Sequence, residues 1–271
     1  MSRTELLTAR DGTRVLLRSW MPAGPPRAAV VILHGLGEHS GRYEHVGAHL
    51  AGSGLAALAV DLRGFGQSEG KRAFVEEFAD YYADVQVAID RAAELAVPVV
   101  LLGHSLGGLV ALRFLQDREG AQFLILSSPS LDAEIPTAKR VAARLLRRIL
   151  PSLAIPNGIT ADQLSRDPAV GEAYFSDPLV ETKTTAGLGG ALLEAMAAAR
   201  AGTIPVPTLV IHGECDTLVP AAISEPLADH PGVERVVFPE FHHESFNEEG
   251  GAAALAVVTG WIDTRLAQMD S

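Results

Sequence analysis

The stretch Val99-Val100-Leu101-Leu102-Gly103-His104-Ser105-Leu106-Gly107-Gly108 decides the fold. It contains the pattern G-x-S-x-G, preceded by an apolar run that predicts a buried strand and followed by a predicted helix. Glycines on both sides let the chain turn sharply, so Ser105 is expected at a strained turn with its hydroxyl accessible. The start of the helix directs backbone N–H groups at developing negative charge. The pattern predicts a nucleophilic serine; a glycine-rich turn with an incidental serine is the alternative.

Short apolar runs continue on both sides of this motif and alternate with helical stretches. The runs lack polar alternation, which is typical of strands buried on both faces of a parallel sheet. They cover residues 28–33, 55–60, 97–102, 123–126, 207–211 and 233–238. The helical stretches cover residues 42–51, 74–95, 106–118, 221–229 and 248–266. This alternation predicts an α/β fold with a doubly wound, mostly parallel central sheet and flanking helices.

Two segments depart from the alternation. Residues 4–8 and 13–20 flank Asp11-Gly12, a dipeptide suited to a tight turn, and predict an N-terminal antiparallel hairpin. From residue 130 to 202 the sequence carries no strand signal and is helical, with interrupting prolines and glycines. Because strand signals resume at 207, we interpret residues 130–202 as a helical cap. It is inserted into one discontinuous core domain of residues 1–129 and 203–271.

The composition excludes several classes of protein. Of 271 residues, 48% are hydrophobic and 20% charged, which excludes disorder as the overall state. A net charge of −11 disfavours nucleic-acid binding, and a single cysteine, Cys215, cannot form an internal disulfide. The first residues lack the apolar run of a secretory signal, and no apolar run reaches the roughly 20 residues that span a bilayer. We therefore expect a cytoplasmic protein.

A nucleophilic serine needs a base, and the base needs an acid that orients it. The acid is expected on the loop after the strand at 207–211, where Asp216 is favoured over Glu214 because of its position and shorter reach. The base is expected after the last strand, where His242 and His243 are adjacent. The chemistry of the residues leaves these two histidines equal.

The same reasoning predicts an oxyanion hole, the pair of N–H groups that holds the negative oxygen of the intermediate. One donor is expected to be the backbone N–H of Leu106, directly after the nucleophile. The second is expected on the loop His34-Gly35-Leu36-Gly37-Glu38, where the N–H of Leu36 is favoured.

These residues resemble the α/β-hydrolase fold, and within it the monoacylglycerol lipase and lysophospholipase family. The resemblance covers most of the chain. Its most specific stretches are HGLGEHSGRY at 34–43 and DPL at 177–179, and it ends in HESFNE at 243–248. The H-E-x-F-N-E pattern selects His243 as the base. The resemblance also implies that Glu38, Arg42 and Tyr174 contact the polar end of the substrate, and that neither a metal nor an organic cofactor takes part.

The resemblance implies a serine hydrolase that cleaves monoacylglycerols, or similar single-chain lipid esters, through an acyl-enzyme intermediate. The enzyme alternatives are a lysophospholipase and a broad-specificity carboxylesterase. A peptidase would need acidic residues placed to hold an amine, and the sequence does not identify them. A non-catalytic ligand receptor on the same fold is the alternative from another class.

A basic amphipathic stretch lies within residues 130–202. Basic side chains at 139, 140, 144, 147 and 148 alternate with apolar ones at 141, 145, 146, 149 and 150. Such a helix is typical of contact with anionic membrane or micelle surfaces, and equally of a cap helix with its basic side in water. The sequence predicts no particular oligomeric state.

Overall fold

A twisted eight-stranded sheet forms the centre of the computed structural model, which describes residues 2–133 and 137–269. Within these residues the strands are β1 (Arg3–Thr8), β2 (Arg14–Trp20), β3 (Ala29–Leu33), β4 (Ala56–Val60), β5 (Val99–His104), β6 (Phe123–Ser127), β7 (Ala154–Pro156), β8 (Lys183–Thr185), β9 (Thr208–Gly213) and β10 (Val233–Phe238). The main sheet has the order β1-β2-β4-β3-β5-β6-β9-β10, and β7 pairs with β8 separately.

The pairing of the strands confirms the predicted fold. Strand β2 runs antiparallel to both β1 and β4, and the neighbours from β4 to β10 are parallel. This is the mostly parallel sheet with an N-terminal antiparallel hairpin that the sequence predicts. Because the parallel strands point the same way, the loops after β3, β5, β6, β9 and β10 gather at the carboxyl ends of the strands, on one side of the sheet.

Helices cover the sheet. In the described part of the chain they are α1 (Glu44–Gly52), α2 (Tyr81–Ala93), α3 (Leu106–Asp117), α4 (Thr137–Ile149), α5 (Ala161–Leu164), α6 (Pro168–Ser176), α7 (Ala186–Ala201) and α8 (Gly251–Met269). Short 3-10 helices occur at Ser40–Tyr43, Phe78–Asp80 and Ala221–Asp229. Within the described ranges, none of these helices combines the length and apolar character needed to cross a bilayer.

The two faces of the sheet carry two separate apolar cores. All five residues of β3 are buried, and they alternate between the faces. Val31 and Leu33 pack into the core that α2, α3 and α7 cover, whereas Val30 and Ile32 pack into the core beneath α1 and α8. Burial on both sides explains why the central strands are apolar without alternation.

Several predictions about individual elements are wrong. The segment 130–202 contains two strands, β7 and β8, which at three residues each are too short to leave a periodic pattern. Strand β10 is half exposed because it forms the edge of the sheet. The helix expected from residue 74 begins at Tyr81, because Glu77 and Asp80 cap a preceding 3-10 turn.

The segment 130–202 packs on the main core. Helix α7 contributes buried Leu188 and Ala191 to the core that α2 and α3 share. The side chains of Lys139, Val141 and Arg144, part of the predicted basic helix, lie outside the described residues, as does the whole of 134–136. The division into a core and an inserted cap stays a prediction.

The glycines of the β5–α3 turn generate a stability prediction. A Cβ on Gly107 would lie 2.2 Å from the carbonyl oxygen of Leu33, in the middle of the sheet. We expect Gly107→Ala to lower the free energy of unfolding by about 3 kcal/mol, since the buried backbone cannot move away. Gly260→Ala is the control, because Gly260 is exposed on α8 and a Cβ there has open space. This substitution should raise the free energy of unfolding by about 1 kcal/mol, since alanine favours the helix more than glycine does. Equal urea denaturation midpoints for the two variants would contradict this prediction.

Candidate active site

Ser105 lies at the turn between β5 and α3. Its backbone adopts φ 52° and ψ −115°, a conformation that is strained for a residue with a side chain. The N–H of Ser105 donates to the carbonyl of Ser127 (2.9 Å), and its carbonyl accepts from the N–H of Ser130 (3.1 Å). One backbone bond to the end of β6 and one to the loop after it therefore hold the turn in place.

An aspartate and a histidine meet beside this turn. Asp216, on the loop after β9, and His243, on the loop after β10, are joined through Nδ1 and Oδ2 at 2.7 Å. The other oxygen of Asp216 accepts the backbone N–H groups of Leu218 (2.9 Å) and Val219 (2.8 Å). Burial raises the pKa of the Asp216 carboxyl, but the nearby His243, hydrogen bonds with His212 and His243 and the N–H of Val219 outweigh it, so the pKa lies below its ordinary value. The carboxylate is held ionised and fixed in orientation.

The alternatives that the sequence left open point elsewhere. The side chain of Glu214 is exposed. His242 places its Nδ1 2.8 Å from the carbonyl oxygen of Asp162, away from Asp216. The geometry therefore joins Asp216 with His243, which is the pair that the resemblance implies.

Ser130, which the sequence analysis missed, is the hydrogen-bond partner of the Ser105 hydroxyl. The two Oγ atoms are 3.1 Å apart, while His243 faces the same cavity as Ser105. The available signal was the position of Ser130 just after β6, at the edge where the site loops gather.

The two predicted oxyanion donors border the same cavity. Leu106 is the first residue of α3, and Leu36 lies on the loop after β3. That loop is shaped by Gly37, whose φ of +83° and contacts exclude a side chain, since a Cβ would lie 2.5 Å from the carbonyl oxygen of Glu181. The hydroxyl of Tyr174 donates to the carbonyl oxygen of Leu36 (3.3 Å).

The predicted polar contacts are distributed unequally around the cavity. Glu38 and Tyr174 border it, whereas Arg42 lies behind Glu38 at a small neighbouring cavity. Although burial raises the pKa of Glu38, the Arg42 guanidinium and the nearby imidazoles outweigh it and set the value at about 2. Tyr174 is buried, and burial raises its pKa above the ordinary value.

The cavity itself is large and has an apolar side. Its volume is about 550 Å³, and Ser105 and His243 lie on its wall. Its apolar lining includes Ile159, Leu164, Leu192, Met196, Leu218, Val219, Pro220 and Ile223. Across the ranges that the structure describes, no three His, Cys, Asp or Glu side chains are grouped as metal ligands would be.

Comparison with known proteins gives consistent matches. The family model described as serine aminopeptidase, S33, matches residues 24–250. The chain is 35% identical over 271 residues to a monoacylglycerol lipase of Mycolicibacterium smegmatis, covering 94% of this chain and 95% of that protein. It is 37% identical over 224 residues to the Homo sapiens monoglyceride lipase, covering 78% and 73%. The crystal structure of Paleococcus ferrophilus monoacylglycerol lipase aligns with a TM-score of 0.83 at 30% identity, covering 95% of this chain and 98% of that one.

His104, next to Ser105, generates a prediction about acid stability. Its burial, reinforced by the nearby His243, lowers its pKa from 6.5 to about 3. Between these values the unfolded chain binds a proton that the folded chain does not, so stability is complete above pH 6.5 and falls as the pH drops toward 3. At pH 5 we expect this histidine alone to cost about 2 kcal/mol relative to pH 7.

Urea denaturation of the wild type and of His104→Gln at pH 7 and pH 5 measures this cost. The variant should lose about 2 kcal/mol less than the wild type between the two pH values, since glutamine does not titrate. An identical loss in both proteins would contradict the assignment.

Proposed function

This chain belongs to the serine aminopeptidase S33 family of α/β-hydrolases, and from that premise we propose that it hydrolyses the ester bond of monoacylglycerols. The observation that carries the proposal is convergence: Ser105 and His243, with Asp216 bound to the histidine, meet at one apolar cavity. The most similar relatives reported above are lipases of this substrate class.

In the proposed mechanism, Ser105 Oγ attacks the ester carbonyl carbon while Nε2 of His243 accepts the hydroxyl proton. The bond between Nδ1 and Asp216 leaves Nε2 free to accept that proton, and it stabilises the imidazolium that results. The N–H groups of Leu36 and Leu106 hold the oxyanion. His243 then protonates the departing glycerol oxygen as the carbon–oxygen bond breaks. Water, deprotonated by the same histidine, attacks the carbonyl carbon of the acyl-enzyme. As the bond from that carbon to Ser105 Oγ breaks, His243 returns the proton to Oγ and the fatty acid is released.

The apolar side of the cavity supports a long fatty chain as the acyl part of the ester substrate. Its lining comes from two directions, with Leu192 and Met196 on α7 and Leu218 and Ile223 after β9. Each methylene group that moves from water into such a lining contributes about 0.8 kcal/mol of binding free energy. A fatty acyl chain therefore gains more from this cavity than an acetyl group does.

The charges around the cavity support a neutral head group. Among the described residues that line it, none is lysine or arginine, so a phosphate has no cation to bind. Its carboxylates are all engaged: Glu38 and Glu244 with Arg42, and Asp132 with Arg200. A substrate ammonium group would therefore compete with an existing ion pair. Both a lysophospholipid and a peptide with a free amino terminus suit the site less well than a monoacylglycerol.

A substrate panel tests this proposal. We expect kcat/KM for a long-chain monoacylglycerol to exceed that for the lysophosphatidic acid with the same chain by at least 10-fold. The value for the monoacylglycerol should also exceed the kcat/KM for an aminoacyl p-nitroanilide by at least 10-fold. The phosphate would be buried without a cation to bind, and the ammonium group would have to displace an existing ion pair. Preference for the lysophosphatidic acid or the anilide would overturn the head-group assignment.

Active-site variants in the same assay test the residues. Ser105→Ala and His243→Ala should each lower kcat by about 10⁴-fold or more, while His242→Ala should keep wild-type turnover. An active His243→Ala with an inactive His242→Ala would show that the base is assigned wrongly.

We also propose that residues 130–202 form a cap over this site, and that its apolar edge contacts the lipid surface that holds the substrate. The apolar edge comprises Leu145, Ile149, Leu150, Leu153 and Ile155, which are 43–63% exposed. Arg148, exposed beside it, supports an anionic surface as the partner. Arg147 of the predicted basic face is engaged instead with Glu194 and with the carbonyl of Glu76.

Vesicle sedimentation tests the apolar edge. A Leu145→Ser/Ile149→Ser double variant should bind anionic phospholipid vesicles several-fold more weakly than the wild type. It lacks two apolar side chains that would be buried in the lipid surface on binding. Met269→Ser is the control, since Met269 is similarly exposed (52%) at the end of α8. Equal binding by all three proteins, or no binding by the wild type, would contradict the proposal.

A further inference from the structure

Arg42 is held between two buried carboxylates. Its Nη1 donates to Glu38 Oε2 (2.7 Å) and to Glu244 Oε1 (2.6 Å), and its Nη2 donates to Glu244 Oε2 (2.9 Å). The side chains of Glu38, Arg42 and Glu244, which we call the Arg42 cluster, are 4%, 10% and 5% exposed. A guanidinium that binds one carboxylate with two nitrogens has a fixed orientation.

One end of the Arg42 cluster is attached to the oxyanion loop. Glu38 Oε1 accepts the backbone N–H of Gly35 (2.5 Å) and the hydroxyl of Tyr43 (2.8 Å). Gly35 directly precedes Leu36, whose N–H is a proposed oxyanion donor. The position of the Glu38 carboxylate therefore fixes the peptide next to that donor.

The other end of the cluster is attached to the loop of the proposed base. Glu244 directly follows His243, and its Oε2 also accepts from the side-chain amide of Asn247 (2.7 Å). The two loops are separated by about 200 residues in the sequence, and the cluster connects them directly. A shift in Arg42 would move the oxyanion donor and the histidine relative to each other.

A third segment contacts the cluster from the predicted cap. The ring of Tyr174, on α6, lies 4.9 Å from the guanidinium carbon of Arg42, and its hydroxyl donates to the carbonyl of Leu36. Such a cation–π contact restricts the arginine further. The polar groups of Glu38, Arg42 and Tyr174 are thus all directed at the protein itself.

From this geometry we infer that Arg42 is a positioning residue, which sets the distance between the oxyanion hole and His243 and makes no contact with the substrate head group. The inference rests on the proposed function for the identity of the two loops. It differs from the expectation that the resemblance gives, because the guanidinium borders the small cavity behind Glu38 and not the cavity that holds Ser105.

Two esters of the same fatty acid distinguish positioning from head-group binding. The monoacylglycerol carries a glycerol group, whereas the methyl ester has no hydroxyl for Arg42 to bind. For Arg42→Gln we expect kcat to fall by about 100-fold with both esters and KM to change less than threefold, because displaced catalytic groups slow every ester alike. Arg42→Lys should recover part of kcat, since it keeps the charge and loses the two-nitrogen contact.

Arg63→Gln is the matched control. Arg63 makes a similar two-nitrogen contact with buried Asp84 (2.7 and 3.0 Å), and neither residue borders the cavity with Ser105. It should lower the thermal midpoint as Arg42→Gln does and keep wild-type kcat. If Arg42→Gln does not fold, Glu244→Gln provides the same comparison, because it removes the charge and keeps the shape.

Three results would overturn the inference. The first is a loss confined to the monoacylglycerol and expressed as a raised KM, which indicates direct head-group binding. The second is unchanged kcat with both esters. The third is an equal loss of kcat in Arg63→Gln, which indicates general destabilisation. A wild type that cleaves the methyl ester but not the monoacylglycerol would refute the proposed substrate, and the methyl ester alone would still test Arg42.

Discussion

The backbone packing beneath Ser105 is the constraint on which the rest of the site depends. A Cβ on Gly103 would lie 2.2 Å from the carbonyl oxygen of Gly107, and a Cβ on Gly107 would lie equally close to that of Leu33. Strand β5, helix α3 and strand β3 can therefore approach only where side chains are absent. This close approach fixes φ of Ser105 at 52°. It also brings the Ser105 hydroxyl to the carboxyl ends of the strands, where the other loops of the site begin. The strain is maintained because the apolar cores on both faces of the sheet hold its strands in place.

Much of the fold follows from the sequence, because burial leaves a pattern that can be read. The six apolar runs all become strands of the main sheet, and the Asp11-Gly12 hairpin is present. The differences arise where local contacts replace burial. Residues 221–229, predicted as a helix, adopt 3-10 geometry with Pro226 inside it, since in an α-helix the proline ring would clash with the carbonyl four residues earlier. Strands β7 and β8 pair with each other over three residues, a contact between segments that no local pattern predicts.

The site is predictable in its residue types and less so in its contacts. The spacing of G-x-S-x-G identifies Ser105, but neighbouring residues on a loop, such as His242 and His243, have the same sequence environment and different partners in space. The H-E-x-F-N-E pattern of the family selects His243, whereas the chemistry of the two residues does not. A charged residue near a site suggests substrate contact, yet the hydrogen-bond partners of Arg42 are Glu38, four residues away, and Glu244, 202 residues away. Only the three-dimensional arrangement reveals that its hydrogen bonds are already used.

The central claim is that Ser105 attacks an ester whose oxyanion lies between Leu36 and Leu106. A crystal structure of the protein after reaction with a phosphonate analogue of a long-chain monoacylglycerol tests it most directly. The account predicts phosphorus bonded to Ser105 Oγ, with the phosphoryl oxygen about 3 Å from both backbone nitrogens. It also predicts the alkyl chain along Leu192 and Met196, and an Arg42 still bound to both carboxylates. Phosphorus on another residue, or a phosphoryl oxygen that faces away from Leu36 and Leu106, would contradict it.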